Sequence, residues 1–134
     1  MASELKVDKF TGVTTAGSID VQGEGTATTN LQQGLAKVWS NYVTASSFSI
    51  NDSFNYASIT DSGAGFATHN FTNAFANALF SYVGLAEVTS ADAVTVIGYT
   101  VNKTTLTCRQ VSYNSSNSTA DQPGNSFSAH GDLA

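Results

Sequence analysis

Charged residues, cysteine and proline are all scarce in this sequence. Only 11% of its 134 residues are charged, against roughly 25% in ordinary soluble domains. A single cysteine excludes an intrachain disulfide framework and a multi-cysteine zinc site. No stretch approaches the about 20 apolar residues of a membrane-spanning helix, and the first residues lack the apolar run of a signal peptide. We therefore expect synthesis in a cytoplasm and no membrane insertion.

Basic residues are too few and too dispersed for a polyanion-binding surface. The formal net charge is −5, and the five basic residues are Lys6, Lys9, Lys37, Lys103 and Arg109. Binding to nucleic acid or to an anionic membrane requires clustered Lys and Arg side chains. The sequence therefore predicts neither nucleic-acid binding nor attraction to membranes.

Small polar residues are abundant instead. Ser and Thr supply 17 residues each, and Asn and Gly 11 each. Thr suits a pleated sheet surface, whereas Ser, Asn and Gly suit turns. Alternating apolar residues predict strands, with turn signals between them every 8 to 14 residues. The predicted strands lie at 4–10, 18–22, 35–43, 47–51, 66–71, 79–88, 93–101 and 103–113. The pattern indicates an all-β fold, an antiparallel, jelly-roll-like β-sandwich.

Three connections complete this prediction. One turn of helix is expected at 29–33, with Thr29 or Asn30 as its N-cap. A turn at 89–92 should join its two flanking strands in a meander. Residues 114–125 form a low-complexity stretch that reads as an exposed loop with few internal contacts. Residues 126–130 then fit either a final edge strand or a flexible tail.

The first 30 residues hold too few large apolar side chains to bury a core of their own. We therefore divide the chain into an extended N-terminal anchoring and oligomerisation segment, 1–30, and a sandwich domain, 31–134. Exposed strand edges and an insufficient core both favour association, and we expect a homotrimer. The residues expected at its interface are Ile19, Val21, Leu31 and Leu35.

No catalytic or metal-binding motif emerges from the sequence. Ser, His and Asp are present without a nucleophile elbow, and the paired glycines lack the third glycine of a phosphate-binding loop. His69 and His130 would share a metal only across a symmetry axis. Cys108, in an alternating run, reads as a small buried hydrophobe. Asp52 and Asp61 are explained by turn capping. We expect no cofactor.

Six blocks of sequence resemble a module of tail-fibre and other appendage proteins of bacteriophages, particularly phages of aquatic bacteria. They are LKVDKFTG at 5–12, TAGSI at 15–19, LQQGLAKVW at 31–39, DSFN at 52–55, ITDSG at 59–63 and NFT at 70–72. The resemblance covers roughly the first half of the chain. It implies a homotrimeric virion structural protein without enzymatic activity, and it supplies no catalytic residue.

We therefore expect a non-enzymatic phage protein located in the virion, most simply a short trimeric fibre or spike involved in host attachment. A capsid decoration protein is the leading alternative, and a carbohydrate-active enzyme, which needs a carboxylate pair across a cleft, is a third. The expected partners are other copies of the chain, other virion proteins and a host-surface glycan or protein.

Two sets of residues are assigned to these contacts. The apolar side chains of the N-terminal segment should anchor the protein in the virion, and these are Leu5, Val7 and Phe10. The polar loop, expected at the other end of the molecule, should face the host, and its candidate residues are Tyr113, Asn114, Asn117 and Asn125.

Overall fold

The computed structural model describes residues 4–13, 19–22, 25–45, 47–87, 95–99 and 103–134, with 95–99 described by their backbone alone. Within these ranges the fold is all-β, and every strand pairing is antiparallel. Contacts divide the chain into two compact units, Met1–Leu35 and Ala36–Ala134. No helix in the described ranges is long and apolar enough to cross a membrane.

The N-terminal unit contains little regular structure. Strands β1 (Asp20–Gln22) and β2 (Thr28–Asn30) pair with each other, and one turn of helix, α1 (Leu31–Gly34), follows. The Asn30 side chain caps this helix by accepting a hydrogen bond from the Gln33 amide at 3.0 Å, as an N-cap residue should. The predicted strand at 4–10 is wrong, because residues 4–13 are exposed and form no strand.

The second unit contains two four-stranded sheets. The first sheet has the order β4-β3-β10-β7, and the second has the order β5-β6-β9-β8. Their strands are β3 (Val38–Val43), β4 (Ser49–Phe54), β5 (Tyr56–Asp61), β6 (Phe66–Phe71), β7 (Ser81–Glu87), β8 (Thr95–Tyr99), β9 (Thr107–Tyr113) and β10 (Gly124–His130).

Side chains from both sheets meet in one core. Alternate residues of β3, β6 and β10 are buried, as expected for strands with one covered face. The rings of His69 on β6 and Phe127 on β10 stack with centroids 4.3 Å apart, and Tyr42 on β3 meets His69 edge-on at 5.1 Å. The buried core cluster comprises Val38, Tyr42, Ala67, Phe71, Phe75, Phe80, Cys108, Phe127 and Ala129.

The strand order corrects two predictions. Strands β7 and β8 do not pair in a meander, because β7 pairs with β10 in the first sheet and β8 pairs with β9 in the second. The turn predicted at 89–92 lies outside the described residues. Strand β10 is neither an edge strand nor a tail. It lies between β3 and β7, and its Phe127 side chain enters the core.

A single residue separates β4 from β5, so the chain passes from one sheet to the other at a sharp corner. Asn55 occupies that corner with a φ of 53°, a conformation that asparagine tolerates better than most residues. Its side-chain nitrogen donates to the Lys37 carbonyl at 3.0 Å, and its side-chain oxygen accepts from the Asn73 backbone amide at 2.8 Å. Local side-chain hydrogen bonds therefore hold a corner that the alternation of apolar residues did not reveal.

Candidate functional surfaces

Three connections of the second unit meet at one end of the two sheets, and their described residues are 44–45 with 47–48, 62–65 and 114–123. The Gln122 amide donates to the Thr44 hydroxyl at 2.7 Å, and the Thr44 amide donates to the Gln122 carbonyl at 3.1 Å. The Gly65 amide donates to the Asp121 carboxylate at 2.7 Å. The polar loop is therefore tied down at its C-terminal half, which corrects the prediction that it makes few internal contacts.

A cleft opens among these connections. It encloses about 360 Å³ and is lined by Thr44, Ser47, Phe48, Asp61 and Asp121. This volume lies at the lower end of the range of about 300–1,000 Å³ that small-molecule sites occupy. Hydroxyl groups, an aromatic ring and two carboxylates thus share one concave surface.

Turn hydrogen bonds hold both carboxylates of the cleft in place. The Asp61 carboxylate accepts from the Gly63 amide at 2.8 Å, as the predicted turn capping requires, and the Asp121 carboxylate accepts from the Gly65 amide. Among the described residues the lining contains acidic but no basic side chains, so the cleft suits a neutral or cationic group with hydrogen-bond donors and disfavours an anion. The sequence did not bring Asp121 together with Asp61, since 59 intervening residues separate them in the chain.

The four residues predicted to face a host differ in their environments. Tyr113 ends β9, is partly buried and forms an isolated bridge with Thr119. The Asn114 side chain accepts hydrogen bonds within its own loop, whereas Asn117 is exposed with a φ of 57°. Asn125 is 2% exposed, and its amide donates to Thr44 and to the Gln122 carbonyl. It therefore supports the loop and does not reach a partner, which corrects its assignment to a host-facing surface.

The residues assigned to anchoring and oligomerisation all lie in the N-terminal unit. Leu5, Val7 and Phe10 are exposed, and so are Val21 and Leu35. Ile19 and Leu31 are half-buried, and the Leu31 amide donates to the Ile19 carbonyl at 2.8 Å. The exposed side chains leave apolar surface available within this unit.

A second apolar surface, missed by the sequence analysis, lies on the outward side of the first sheet. We call it the apolar face, and its large side chains are Trp39 (39% exposed), Phe54 (52%), Val83 (59%) and Leu85 (67%). Trp39 lies opposite Phe54 on one neighbouring strand and opposite Ser128 on the other. Ser128 and Ser126 lie opposite Val83 and Leu85. The buried residues on either side of Trp39 would have placed it outward.

A polar cluster is buried between the sheets. The Tyr56 hydroxyl is hydrogen-bonded to Nδ1 of His69, whose ring is fully buried beside Tyr42 and Phe127. Burial lowers the pKa of His69 to about 3, and the Gln110 carboxamide opposes that shift only in part. His69 is therefore neutral at physiological pH.

Neither His69 nor Cys108 is placed to act on a dissolved substrate. Cys108 is fully buried, as predicted, and burial raises the pKa of its thiol to about 12, so the thiol stays protonated. His130 is exposed, in contrast to the buried His69. Within the described residues no three His, Cys, Asp or Glu side chains form a group that would hold a metal ion.

Comparison with protein-family models, with curated proteins and with solved structures finds no match to this chain.

Proposed function

We propose that this chain is a non-enzymatic structural protein of a bacteriophage virion, a short trimeric fibre or spike that takes part in host attachment. The observation that carries the proposal is the exposure of Leu5, Val7 and Phe10 in a segment that forms no strand. This segment coincides with the first block of sequence that resembles phage appendage proteins. Exposed apolar side chains in an unpaired segment suit attachment to another protein.

The second unit then serves as the body of the spike. We propose that its two sheets form a β-sandwich of the jelly-roll type, because β3 and β10, the first and last strands of the unit, are neighbours in one sheet. The ring contacts between His69 and Phe127 support face-to-face packing of the two sheets. Such a body presents its connecting loops at its ends, where variation in sequence does not disturb the core.

Host contact is proposed at the end that carries the cleft. Asn117 and Ser47 are exposed there, and the cleft offers two carboxylates and the Ser47 hydroxyl to the hydroxyl groups of a neutral glycan or to a protein side chain. Phe48 offers an apolar ring beside them. These groups would recognise a host surface through hydrogen bonds and stacking.

The anchoring role is tested with a variant of the N-terminal segment. Replacing Leu5, Val7 and Phe10 by Ser removes the apolar area, which contributes about 25 cal/mol per Å² when a partner covers it. Virions assembled with this variant should contain little of the protein by quantitative mass spectrometry, while the purified variant keeps its far-UV circular dichroism spectrum.

A matched control changes the polar residues of the same segment. Its three Ser substitutions are at Lys6, Asp8 and Lys9. This control should enter virions normally. Normal incorporation of the apolar variant, or absence of the unaltered protein from purified virions, would contradict the proposal.

Copy number separates the fibre from the capsid decoration protein. A fibre or spike is present in at most a few dozen copies per virion, whereas a decoration protein that bridges capsid subunits needs hundreds. The same mass spectrometry, calibrated with isotope-labelled peptides, gives this number. Immunogold labelling then shows whether the antibody binds at the tail or over the head.

The cleft favours one second candidate, a carbohydrate-active enzyme. Asp61 and Asp121 line the same concave surface, and glycoside hydrolysis uses two carboxyl groups that flank the scissile bond. Release of reducing ends from host polysaccharide, lost in both Asp61→Asn and Asp121→Asn, would establish that activity. The structural proposal expects no release by the unaltered protein.

A further inference from the structure

The outward side of the first sheet carries large apolar side chains that the described chain leaves uncovered. Trp39, Phe54, Val83 and Leu85 lie on three of its four strands, and each is between 39% and 67% exposed. We propose that this apolar face is the surface through which copies of this chain pack against one another. The inference deepens the proposed trimer by naming its contact surface, and it is tested separately from the virion role.

The size of the face supports a specific contact. The four side chains expose roughly 400 Å² of apolar surface, given that an aromatic side chain buries about 150–250 Å² when fully covered. Contiguous apolar patches of a few hundred Å² mark interaction sites on soluble proteins. The polar residues between and around these four extend the face toward the about 800 Å² that each partner contributes to a standard interface. An interface of this size is expected to form in a concentration-dependent way.

The shape of the apolar face suits contact with another copy of the chain. Val83 and Leu85 form one raised side, Trp39 and Phe54 form the other, and β10 between them presents Ser126 and Ser128, with His130 beyond them at the end of the strand. Each copy therefore offers both raised apolar sides and a shallow groove of small residues to receive them. A surface on which one part complements another can pack heterologously around a three-fold axis, so that a raised side of one copy enters the groove of the next.

Charge also favours another copy over a charged partner. The four large side chains and the two serines are uncharged. The carboxylates on this side, Asp52 and Glu87, are exposed and lie two residues along their strands from Phe54 and Leu85, at the border of the face. Neighbouring copies can therefore bring the four apolar side chains together while both carboxylates stay at the border, so that no charge is buried without a partner. A basic or acidic partner would find no counter-charge at the centre of the face.

Light scattering coupled to size exclusion, on the full-length chain from about 1 to about 100 µM, tests the inference. We expect a mass that rises to a multiple of the monomer. In the double variant Val83→Lys, Leu85→Lys the dissociation constant should rise at least about 100-fold, because two ammonium groups would be desolvated in the interface. A chain that remains monomeric throughout, or a double variant that associates as the unaltered protein does, would overturn the proposal.

The second sheet provides the matched control. Ser58→Lys with Thr60→Lys places the same two charges at the same spacing on an outer strand, at exposed positions of the second sheet. This control should associate like the unaltered chain. If it dissociated equally, the effect of the first variant would reflect added charge rather than the apolar face, and the inference would be wrong.

The unaltered protein offers an independent measurement if the lysine variant fails to fold. Trp39 is the only tryptophan in the chain and lies within the face. Its fluorescence should shift to longer wavelength on dilution, with the same midpoint as the loss of mass. A fluorescence maximum that stays constant while the mass falls would place the interface elsewhere.

Failure of this interface can be distinguished from failure of the proposed role in the virion. Association through the apolar face is measured on purified protein, whereas the virion role depends on incorporation and copy number. A protein that associates as expected but is absent from virions would refute only the role. A monomeric protein that is found in virions would refute the interface and the trimer but not the role in the virion.

Discussion

In both sheets alternate residues of the strands face outward, but the outward side chains of the two sheets differ in chemistry. On the second sheet, the Asn70 amide donates to the Ser58 and Thr60 hydroxyls at 3.1 and 3.0 Å, and Arg109 donates to Thr68 at 3.2 Å. On the first sheet the corresponding surface is the apolar face. Hydroxyl and amide groups on the second sheet pair with one another and tolerate water, whereas the apolar side chains gain free energy only when something covers them. The comparison supports the proposal that the first sheet, rather than the second, faces another copy of the chain.

Both surfaces depend on the core they share, and its loss should have the largest effect. Phe127→Ala removes a ring that is 3% exposed and stacks on His69. We expect the free energy of unfolding to fall by about 3–5 kcal/mol, measured by urea denaturation. Ser128→Ala, the next residue but on the outward side, should stay within about 0.5 kcal/mol. Equal losses in the two variants would show that β10 does not separate a buried side from an outward side.

The turn beside the cleft should be the next most sensitive position. Gly65 has a φ of 76°, and an added Cβ would lie 2.6 Å from both the Ala120 amide and the Ser112 carbonyl. Gly65→Ala should therefore lower the free energy of unfolding by about 2–4 kcal/mol, from backbone strain and a clash with backbone atoms. Gly63→Ala is the matched control, because its φ of 117° is also unfavourable but its Cβ would meet open space. A loss no larger at Gly65 than at Gly63 would mean that the clash is relieved cheaply.

His69 makes the shared core sensitive to acid. The unfolded chain binds a proton on this histidine below a pH of about 6.5, whereas burial lowers the pKa of the folded state to about 3. Protons therefore favour unfolding between these two values, and His69 should cost about 2 kcal/mol of stability between about pH 7 and about pH 5. His69→Gln should remove that part of the pH dependence. Parallel stability curves for the two proteins from urea denaturation at each pH would contradict it.

The sequence predicted the strands better than their partners. Alternating apolar residues located β6 at its observed bounds, since burial on one side repeats every second residue. The predicted strands also contain all of β3 and β9, which begin three and four residues later than predicted. Alternation carries no information about which strand lies beside which. The assignment of β7 and β8 to one meander followed chain order, but the structure places them in different sheets.

Surfaces were harder to predict than strands for a related reason. The sequence shows which alternate residues of a strand share one side. Trp39 and Phe54, however, form one surface only when β3 and β4 pair in the observed register. The cleft likewise depends on a contact between Asp121 and the turn at Gly65, which are far apart in the chain. Low complexity in residues 114–125 suggested mobility. Asn125 is buried, and its side chain holds this loop by donating to the Gln122 backbone carbonyl. Composition alone does not indicate such a contact.

The smallest and most selective test makes one apolar residue polar on the outward side of the first sheet and one polar residue apolar on that of the second. Val83→Thr replaces a methyl group by a hydroxyl at an exposed position, and Thr60→Val does the reverse on the second sheet. Neither substitution should change the free energy of unfolding of the monomer by more than about 0.5 kcal/mol, because both side chains face outward on strands that tolerate either residue. Urea denaturation at a concentration below the association midpoint measures this.

The two substitutions should differ in their effect on association. Val83→Thr should raise the dissociation constant about tenfold, since covering a hydroxyl without a partner in the apolar face costs on the order of 1 kcal/mol or more. Thr60→Val should leave the dissociation constant unchanged, because its surroundings on the second sheet are polar and no copy covers them. Sedimentation equilibrium of both variants beside the unaltered chain gives the two constants. If Thr60→Val altered the dissociation constant as much as Val83→Thr, both sheets would contribute to the interface, and the contrast between a solvent-facing and a partner-facing sheet would be lost.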